Sequence, residues 1–302
     1  MGEPIESEHS NMFEGTHTAL ITPFRDGEID EPALRALIER QIEAGIDGLV
    51  PCGSTGESAT LSHDEHRRVI DITIDATAGR VAVIAGAGSN STRETTELTA
   101  HAKEAGADGA LLLSPYYNKP TQEGIYQHYS TVARETALPL VIYNIPGRTA
   151  SDIEPETIGR LARLDHIVGI KEASGDLDQI GHVVAACPSD FAVLSGDDSL
   201  TLPLMAVGGK GCISTSSNVA PAQMAELVRT MASGDVTCAR KLHHELVPLF
   251  DVLFCETNPI PVKAACAALG LCDDEIRLPL TKLTAPNLER LKVVLKDLGI
   301  QS

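Results

Sequence analysis

The sequence predicts an α/β fold: a (β/α)8 TIM barrel followed by a C-terminal helical extension. Three observations predict it. Eight short apolar runs alternate with amphipathic segments at the spacing a repeated βα unit requires. The runs are continuous rather than alternating, as suits parallel strands covered on both faces. A chain of 302 residues is the right size for one such barrel with an addition.

The eight runs fall at 19–21, 48–52, 81–85, 110–113, 140–143, 167–171, 191–194 and 211–214. Helix signals lie between them. Asp30 precedes Glu31-Pro32, an N-cap followed by proline in the first turn. Ser62 with Glu65, and Ser91 with Glu94, fit the capping box. Gly45 and Gly106 stand where helix ends want a left-handed residue, and Asp47-Gly48 and Asp108-Gly109 then lead into strands. From Pro221 onward three or so helices are expected, ending near Leu298. The chain therefore divides into an acidic leader over 1–12, expected to be disordered, a barrel over 13–220, and a helical region over 221–302 packed on it.

Composition narrows the function. Hydrophobic residues make up 43% of the chain but aromatics only 3%, so the core must be built from Val, Ile, Leu and Ala. Few aromatics and a net charge of −18 argue against nucleic acid, which needs stacking platforms and cations. The acidic excess, with lysine rarer than arginine, fits either adaptation to high salt or an ordinary acidic protein. The seven cysteines are scattered with no C-x-x-C pair, so they read as reduced, mostly buried thiols rather than a disulfide framework or a zinc site. The N-terminal residues carry no signal-peptide pattern, and no run reaches the ~18 apolar residues of a spanning helix. A cytoplasmic location away from membranes is expected.

In a barrel of this class, chemistry sits where strands end. The sixth run ends Gly169-Ile170-Lys171-Glu172. A lysine closing a buried strand is costly unless partnered, and a neutral amine is a nucleophile toward carbonyls. On its own, Lys171 reads more simply as reaching solvent or pairing with Glu172. Its neighbours change that. The second run leads into Gly53-Ser54-Thr55-Gly56-Glu57, a tight turn whose backbone N–H groups suit an anion. The fourth leads into Tyr116-Tyr117-Asn118-Lys119-Pro120, and the fifth into Tyr143-Asn144-Ile145-Pro146-Gly147-Arg148-Thr149. Phenols can relay protons, and an arginine fork matches a carboxylate. Three of the five tyrosines fall at these adjacent strand ends. An amine, phenols, an anion-holding turn and an arginine describe a site for 2-oxo acids.

These stretches, together with Leu194-Ser195-Gly196-Asp197-Asp198, occur in an order that resembles the pyruvate-dependent Schiff-base aldolase family, from about Phe13 to the C-terminus. The resemblance implies that Lys171 forms the Schiff base, that Tyr143 moves protons, and that Ser54 and Tyr117 complete a hydroxyl relay, with Tyr117 lent across a dimer interface. It implies that Thr55 holds the pyruvate carboxylate, that Arg148 takes the carboxylate of an aldehyde, and that Gly196 and Ile213 line the pocket. One departure is Ser54, where many members carry threonine; it keeps the hydroxyl but loses the methyl that fixes a rotamer. The branch resembled most condenses pyruvate with L-aspartate 4-semialdehyde on the way to diaminopimelate and lysine, with no cofactor or metal beyond the lysine imine. Members are commonly homotetramers built from tight dimers, and some are inhibited by L-lysine. The matching positions are Ser58, Ala59, His63, His66, Asn90, Glu94 and Tyr116, although His63, His66 and Glu94 also read as parts of capped helices. Two other readings stand beside this one: a sibling aldolase acting on 2-keto-3-deoxy sugar acids or N-acetylneuraminate, against which Arg148 weighs, and a non-catalytic binding barrel.

Overall fold

In the computed structural model, residues 11–300 are described, and eight parallel strands close on themselves in chain order. They are β1 Gly15–Ala19, β2 Gly48–Val50, β3 Ala82–Gly86, β4 Gly109–Leu113, β5 Leu140–Asn144, β6 Ile167–Glu172, β7 Ala192–Ser195 and β8 Gly211–Ser214. Closure is made by β1, which pairs with β8 (Gly15 opposite Gly211) and with β2 (His17 opposite Gly48). Helices α1 Glu31–Glu43, α2 His63–Thr77, α3 Thr92–Ala105, α4 Gln122–Thr136, α5 Pro155–Leu161, α6 Leu177–Ala186, α7 Thr201–Ala206 and α8 Pro221–Ala232 follow the strands one by one. Three more, α9 Val236–Leu253, α10 Ile260–Ala268 and α11 Ala285–Asp297, form the extension. The leader expected over 1–12 lies outside the described residues except at Asn11–Phe13, a single 3-10 turn.

Seven strands overlap the predicted runs, but the first is displaced. The run at 19–21 is the exit of β1, whose body is Gly15–Ala19. Thr16, His17 and Thr18 are polar yet buried, so no apolar run marks them. They can be buried because they find partners: Thr18 Oγ1 donates to Gln41 Oε1 of α1 at 2.7 Å, and Thr16 Oγ1 lies 3.5 Å from the Met224 carbonyl of α8. A two-stranded hairpin, Phe24–Arg25 with Glu28–Ile29, also carries no strand pattern of its own and was not expected.

The strand entries repeat one device. Asp47 accepts from the backbone N–H of Thr16 at 2.7 Å, and Asp108 from that of Val83 at 2.8 Å, so each aspartate ties the start of its strand to the neighbour. The caps follow the sequence with one difference. Asp30 accepts from the N–H of Ala33, and Ser62 with Glu65 forms the full capping box. Ser91 accepts from the N–H of Glu94, but the Glu94 carboxylate does not reach back; it is drawn instead to Ser89 and His63. Half a capping box remains because an exposed imidazole and a buried hydroxyl outbid the cap for that carboxylate.

Apolar side chains form three regions. Inside the barrel lie Phe13, Val50, Ile84, Leu111, Val141 and Leu194, with Phe13 closing the end from which the strands start. A second layer packs between strands and helices. A third, with Leu246, Leu249, Val252, Cys266, Leu291 and Leu295, joins the extension to the barrel. Each fully buried aliphatic side chain stabilises by about 1.5–3 kcal/mol relative to exposure. Of the seven cysteines all are free, but only Cys52, Cys212 and Cys266 are buried, and Cys238 is exposed at the start of α9. Among the described residues no helix is long and apolar enough to cross a membrane.

Among the described residues three imidazoles are buried: His17 in β1, His66 in α2 and His128 in α4. Burial is the leading cause of a lowered pKa in each, opposed at His17 by the Asp47 charge, and it takes His66 and His128 down to about 4. The folded state therefore binds fewer protons than the unfolded chain. The stability these groups contribute is complete above about 6.5 and is lost as pH falls toward about 4. Linkage makes this on the order of 3 kcal/mol for each of the two lowest. Urea midpoints measured from pH 7 to pH 4.5 should fall accordingly, and His128→Asn should flatten that slope; an equal slope in the variant would count against this origin.

Candidate active site

Lys171 and Tyr143 lie opposite each other in register at the C-terminal ends of β6 and β5. Both are buried, and the Lys171 Nζ sits 4.4 Å from the centroid of the Tyr143 ring, a cation–π distance. Strand alternation decides what Lys171 does not touch. Glu172 faces the opposite side of the sheet, where it accepts from the Ser174 N–H at 2.8 Å and from Asn144 Nδ2 at 3.2 Å. Among the described residues Lys171 forms no ion pair, with Glu172 or any other carboxylate, and only 5% of it is exposed. Burial raises the carboxyl pKa of Glu172. Burial also raises that of Asp197, just after β7, against the pull of the Lys171 charge.

Gly196 is where it must be. A Cβ there would stand 2.6 Å from the Ala173 Cβ and 3.0 Å from the Lys171 Cε. Ile213 of β8 is fully buried inside the barrel with Tyr143. Gly86 of β3 plays the matching part for the turn after β2, because a Cβ there would meet the Cys52 carbonyl at 2.3 Å.

That turn folds back on itself. The N–H groups of Gly56 and Ser58 donate to the Gly53 carbonyl, and that of Glu57 donates to the Ser54 carbonyl. Those of Gly53, Ser54 and Thr55 make no hydrogen bond among the described residues, and of these Ser54 and Thr55 are the two inside the turn that suit an anion. Thr55 is buried; its Oγ1 accepts from Asn258 Nδ2 at 3.0 Å and lies 3.4 Å from the Thr215 hydroxyl. Arg148 sits on a one-turn helix, Pro146–Thr149, and its Nη2 donates to the Asn258 carbonyl at 3.0 Å.

Ser54 is half buried, and no hydrogen bond joins it to Tyr143 or Tyr117 among the described residues. Tyr117 is not brought to Lys171 within the chain: it is 87% exposed on the loop after β4, in a left-handed conformation with φ 70°. Of the seven positions matched to a lysine site, His63 meets Glu94 and Asn90 meets Tyr116. His63 Nε2 is 2.9 Å from Glu94, Asn90 Nδ2 donates to the Tyr116 carbonyl at 3.1 Å, and Ser58 and Ala59 lie on the 3-10 turn just before α2. His66 is buried nearby, whereas Tyr116 is about a third exposed at 38%.

Sequence reasoning missed the contribution of the extension. Asn258 touches both Thr55 and Arg148. Lys263 of α10, almost fully buried, forms an ion pair with Glu57 at the end of the turn, and Phe24 lies under it at 4.0 Å. Burial lowers the Lys263 pKa and the Glu57 charge opposes this. Arg277 adds its backbone N–H to Glu57 at 3.1 Å. Lys263 did carry a signal, a lysine amid the apolar residues of α10, but nothing in it pointed to Glu57. Among the described residues no group of three or more His, Cys, Asp or Glu is placed to hold a metal ion.

The contact between Gly196 and Lys171 makes a direct prediction. Gly196→Ala should displace the lysine stem and slow reductive labelling of Lys171 by a small keto acid about 100-fold, since misplacement by about an ångström costs that much. Labelling at the unmodified rate in a folded variant would show that the stem has room.

Comparison with known proteins agrees with this geometry. The model of the dihydrodipicolinate synthetase family matches residues 12–298. The 4-hydroxy-tetrahydrodipicolinate synthase of Syntrophus aciditrophicus is 59% identical over 289 residues, covering 96% of this chain and 99% of that protein. The chloride-inhibited dihydrodipicolinate synthase of Acinetobacter baumannii, in its crystal structure complexed with pyruvate, superposes with a TM-score of 0.94 at 46% identity, covering 95% and 99%. The enzyme of Cyanidioschyzon merolae with lysine bound gives 0.93 at 40% identity, covering 96% and 99%. The barrel, the strand-end lysine and the match over nearly the whole chain lead to one conclusion: the chain belongs to the dihydrodipicolinate synthetase family.

Proposed function

We propose that the chain is a lyase that condenses pyruvate with L-aspartate 4-semialdehyde through an imine on Lys171, giving 4-hydroxy-tetrahydrodipicolinate for diaminopimelate and lysine synthesis. The observation that carries the reading is a buried amine without an ion-pair partner, set on the face of Tyr143 and against Gly196. Its relatives of matching length carry the name of this activity.

The Lys171 amine attacks the ketone carbon of pyruvate, and water leaves as the imine forms. The pyruvate carboxylate is held by the Thr55 hydroxyl and the two open N–H groups of the turn. Loss of a methyl proton gives the enamine, whose carbon attacks the aldehyde and leaves a hydroxyl there. Tyr143, beside Nζ, is the group placed to move these protons. The amino group of the adduct then attacks the imine carbon, which releases Lys171 and closes the ring. Arg148, anchored by one nitrogen on Asn258, presents the rest of its fork to the carboxylate of the aldehyde. That placement favours this substrate over sugar acids. The imine itself is the covalent catalyst, so the reading requires no metal or organic cofactor.

Tyr117 completes the relay only if a second copy supplies it, so the reading includes a dimer, paired into a tetramer, with the exposed ring of one copy entering the site of the other. It places the enzyme in the cytoplasm with the rest of amino-acid synthesis. It also includes inhibition by L-lysine at the cluster of Ser58, Ala59, His63, His66, Asn90, Glu94 and Tyr116, supported by the relative described with lysine bound.

Borohydride with pyruvate should add the reduced adduct at Lys171 in the native chain and none in Lys171→Ala, and turnover should be seen with L-aspartate 4-semialdehyde but not with 2-keto-3-deoxy sugar acids. Absence of adduct would reject the imine, and preference for sugar acids would reject the substrate. Millimolar L-lysine should slow turnover in the native chain and lose that effect in Glu94→Ala; indifference to lysine together with no binding heat would reject the second site.

A further inference from the structure

Asn258 stands in the link between α9 and α10, outside every strand that builds the site. It is only 6% exposed. It reaches the site twice, with different parts of itself: its side-chain Nδ2 donates to Thr55 Oγ1 and its backbone carbonyl accepts from Arg148 Nη2, each at 3.0 Å.

The first contact has a consequence for direction. A threonine hydroxyl has one proton and two lone pairs. Because Thr55 Oγ1 accepts from the amide, its own proton turns elsewhere. The other near partner, the Thr215 hydroxyl, lies at 3.4 Å, long for an O–H···O bond. The Thr55 hydroxyl is thereby left as a donor, which is what a carboxylate requires.

The segment that carries Asn258 is itself held down. Lys263, further along in α10, pairs with Glu57 at the other end of the same turn, and Arg277 also donates to Glu57. The extension thus grips the turn at two points: Asn258 at Thr55, Lys263 at Glu57. Removing the first leaves the second in place, so the turn keeps its path.

Resting on the imine reading above, we propose that Asn258 is a positioning residue for the reaction. Its side chain sets the Thr55 hydroxyl to donate to the keto-acid carboxylate, and its main chain sets Arg148 for the aldehyde carboxylate. The two effects are separable by substitution, because truncating the side chain removes one and leaves the carbonyl.

The test is a pair of titrations on Asn258→Ala. Reductive trapping with pyruvate alone gives the half-saturating pyruvate concentration. Steady-state turnover at saturating pyruvate gives the KM for L-aspartate 4-semialdehyde. The half-saturating pyruvate concentration should rise about tenfold, the effect of one hydrogen bond to a charged group, while the aldehyde KM stays within about twofold. Arg148→Ala should give the reverse pattern. Adding Asn258→Ala to Thr55→Val should cause no further loss, since both act through one hydroxyl. A general loosening of the turn would raise both constants together, and that outcome, or an unchanged pyruvate titration, would overturn the proposal. Asn258→Ser, read in the same way, serves if the alanine variant does not fold. Absence of trapping in the unmodified chain would remove the imine reading, and this role with it.

Discussion

A buried amine without an ion-pair partner is the constraint on which the rest of the site depends. Lys171 cannot be hidden cheaply, and among the described residues no carboxylate forms an ion pair with it. What the barrel supplies is the face of Tyr143, the nearby charge of Asp197 and a glycine where any side chain would press on the lysine stem. Strand alternation sends Glu172 to the outer layer, where Asn144 and Ser174 bind it. A strand that ended one residue earlier or later would exchange the two, putting a carboxylate inside the barrel and the amine among the helices.

Lys263 shows why partnership matters more than burial. It too is a lysine in an apolar stretch, and it is more deeply buried than Lys171. It is closed off by Glu57 and covered by Phe24, so its amine has no approach and no task beyond holding the turn. Breaking such a pair costs several kcal/mol because the remaining charge stays buried, which suits a residue that must not move. Two lysines set among apolar residues, one on a strand and one on a helix, thus serve opposite ends: one is paired so that the turn is rigid, and the other is left without an ion pair so that it can react.

This difference also marks what was legible in the sequence. The barrel was legible because its units repeat: capped helix, left-handed end, aspartate, then strand. Seven strands announce themselves by apolar runs, whereas β1 does not, since Thr16, His17 and Thr18 draw their burial from partners as far away as Met224. The strand-end residues Lys171, Tyr143, Thr55 and Arg148 were legible because the fold class says where strands end. Asn258, Thr215 and Lys263 were not. Their contacts span 110 to 206 positions of chain, and no local period records a contact of that kind.

Tyr117 marks the limit from the other side. Its ring is 87% exposed and its backbone is held left-handed, a costly conformation for a bulky residue to keep for no contact. The loop is nonetheless fixed: the Tyr117 N–H donates to the Thr149 carbonyl, and Asn118 donates to the Asn90 carbonyl. An ordered loop that displays an aromatic ring to water is shaped for a surface outside the chain. The same loop carries Tyr116, whose carbonyl accepts from Asn90 Nδ2. Asn90 is thus bonded to the base of the loop that bears Tyr117 from both sides.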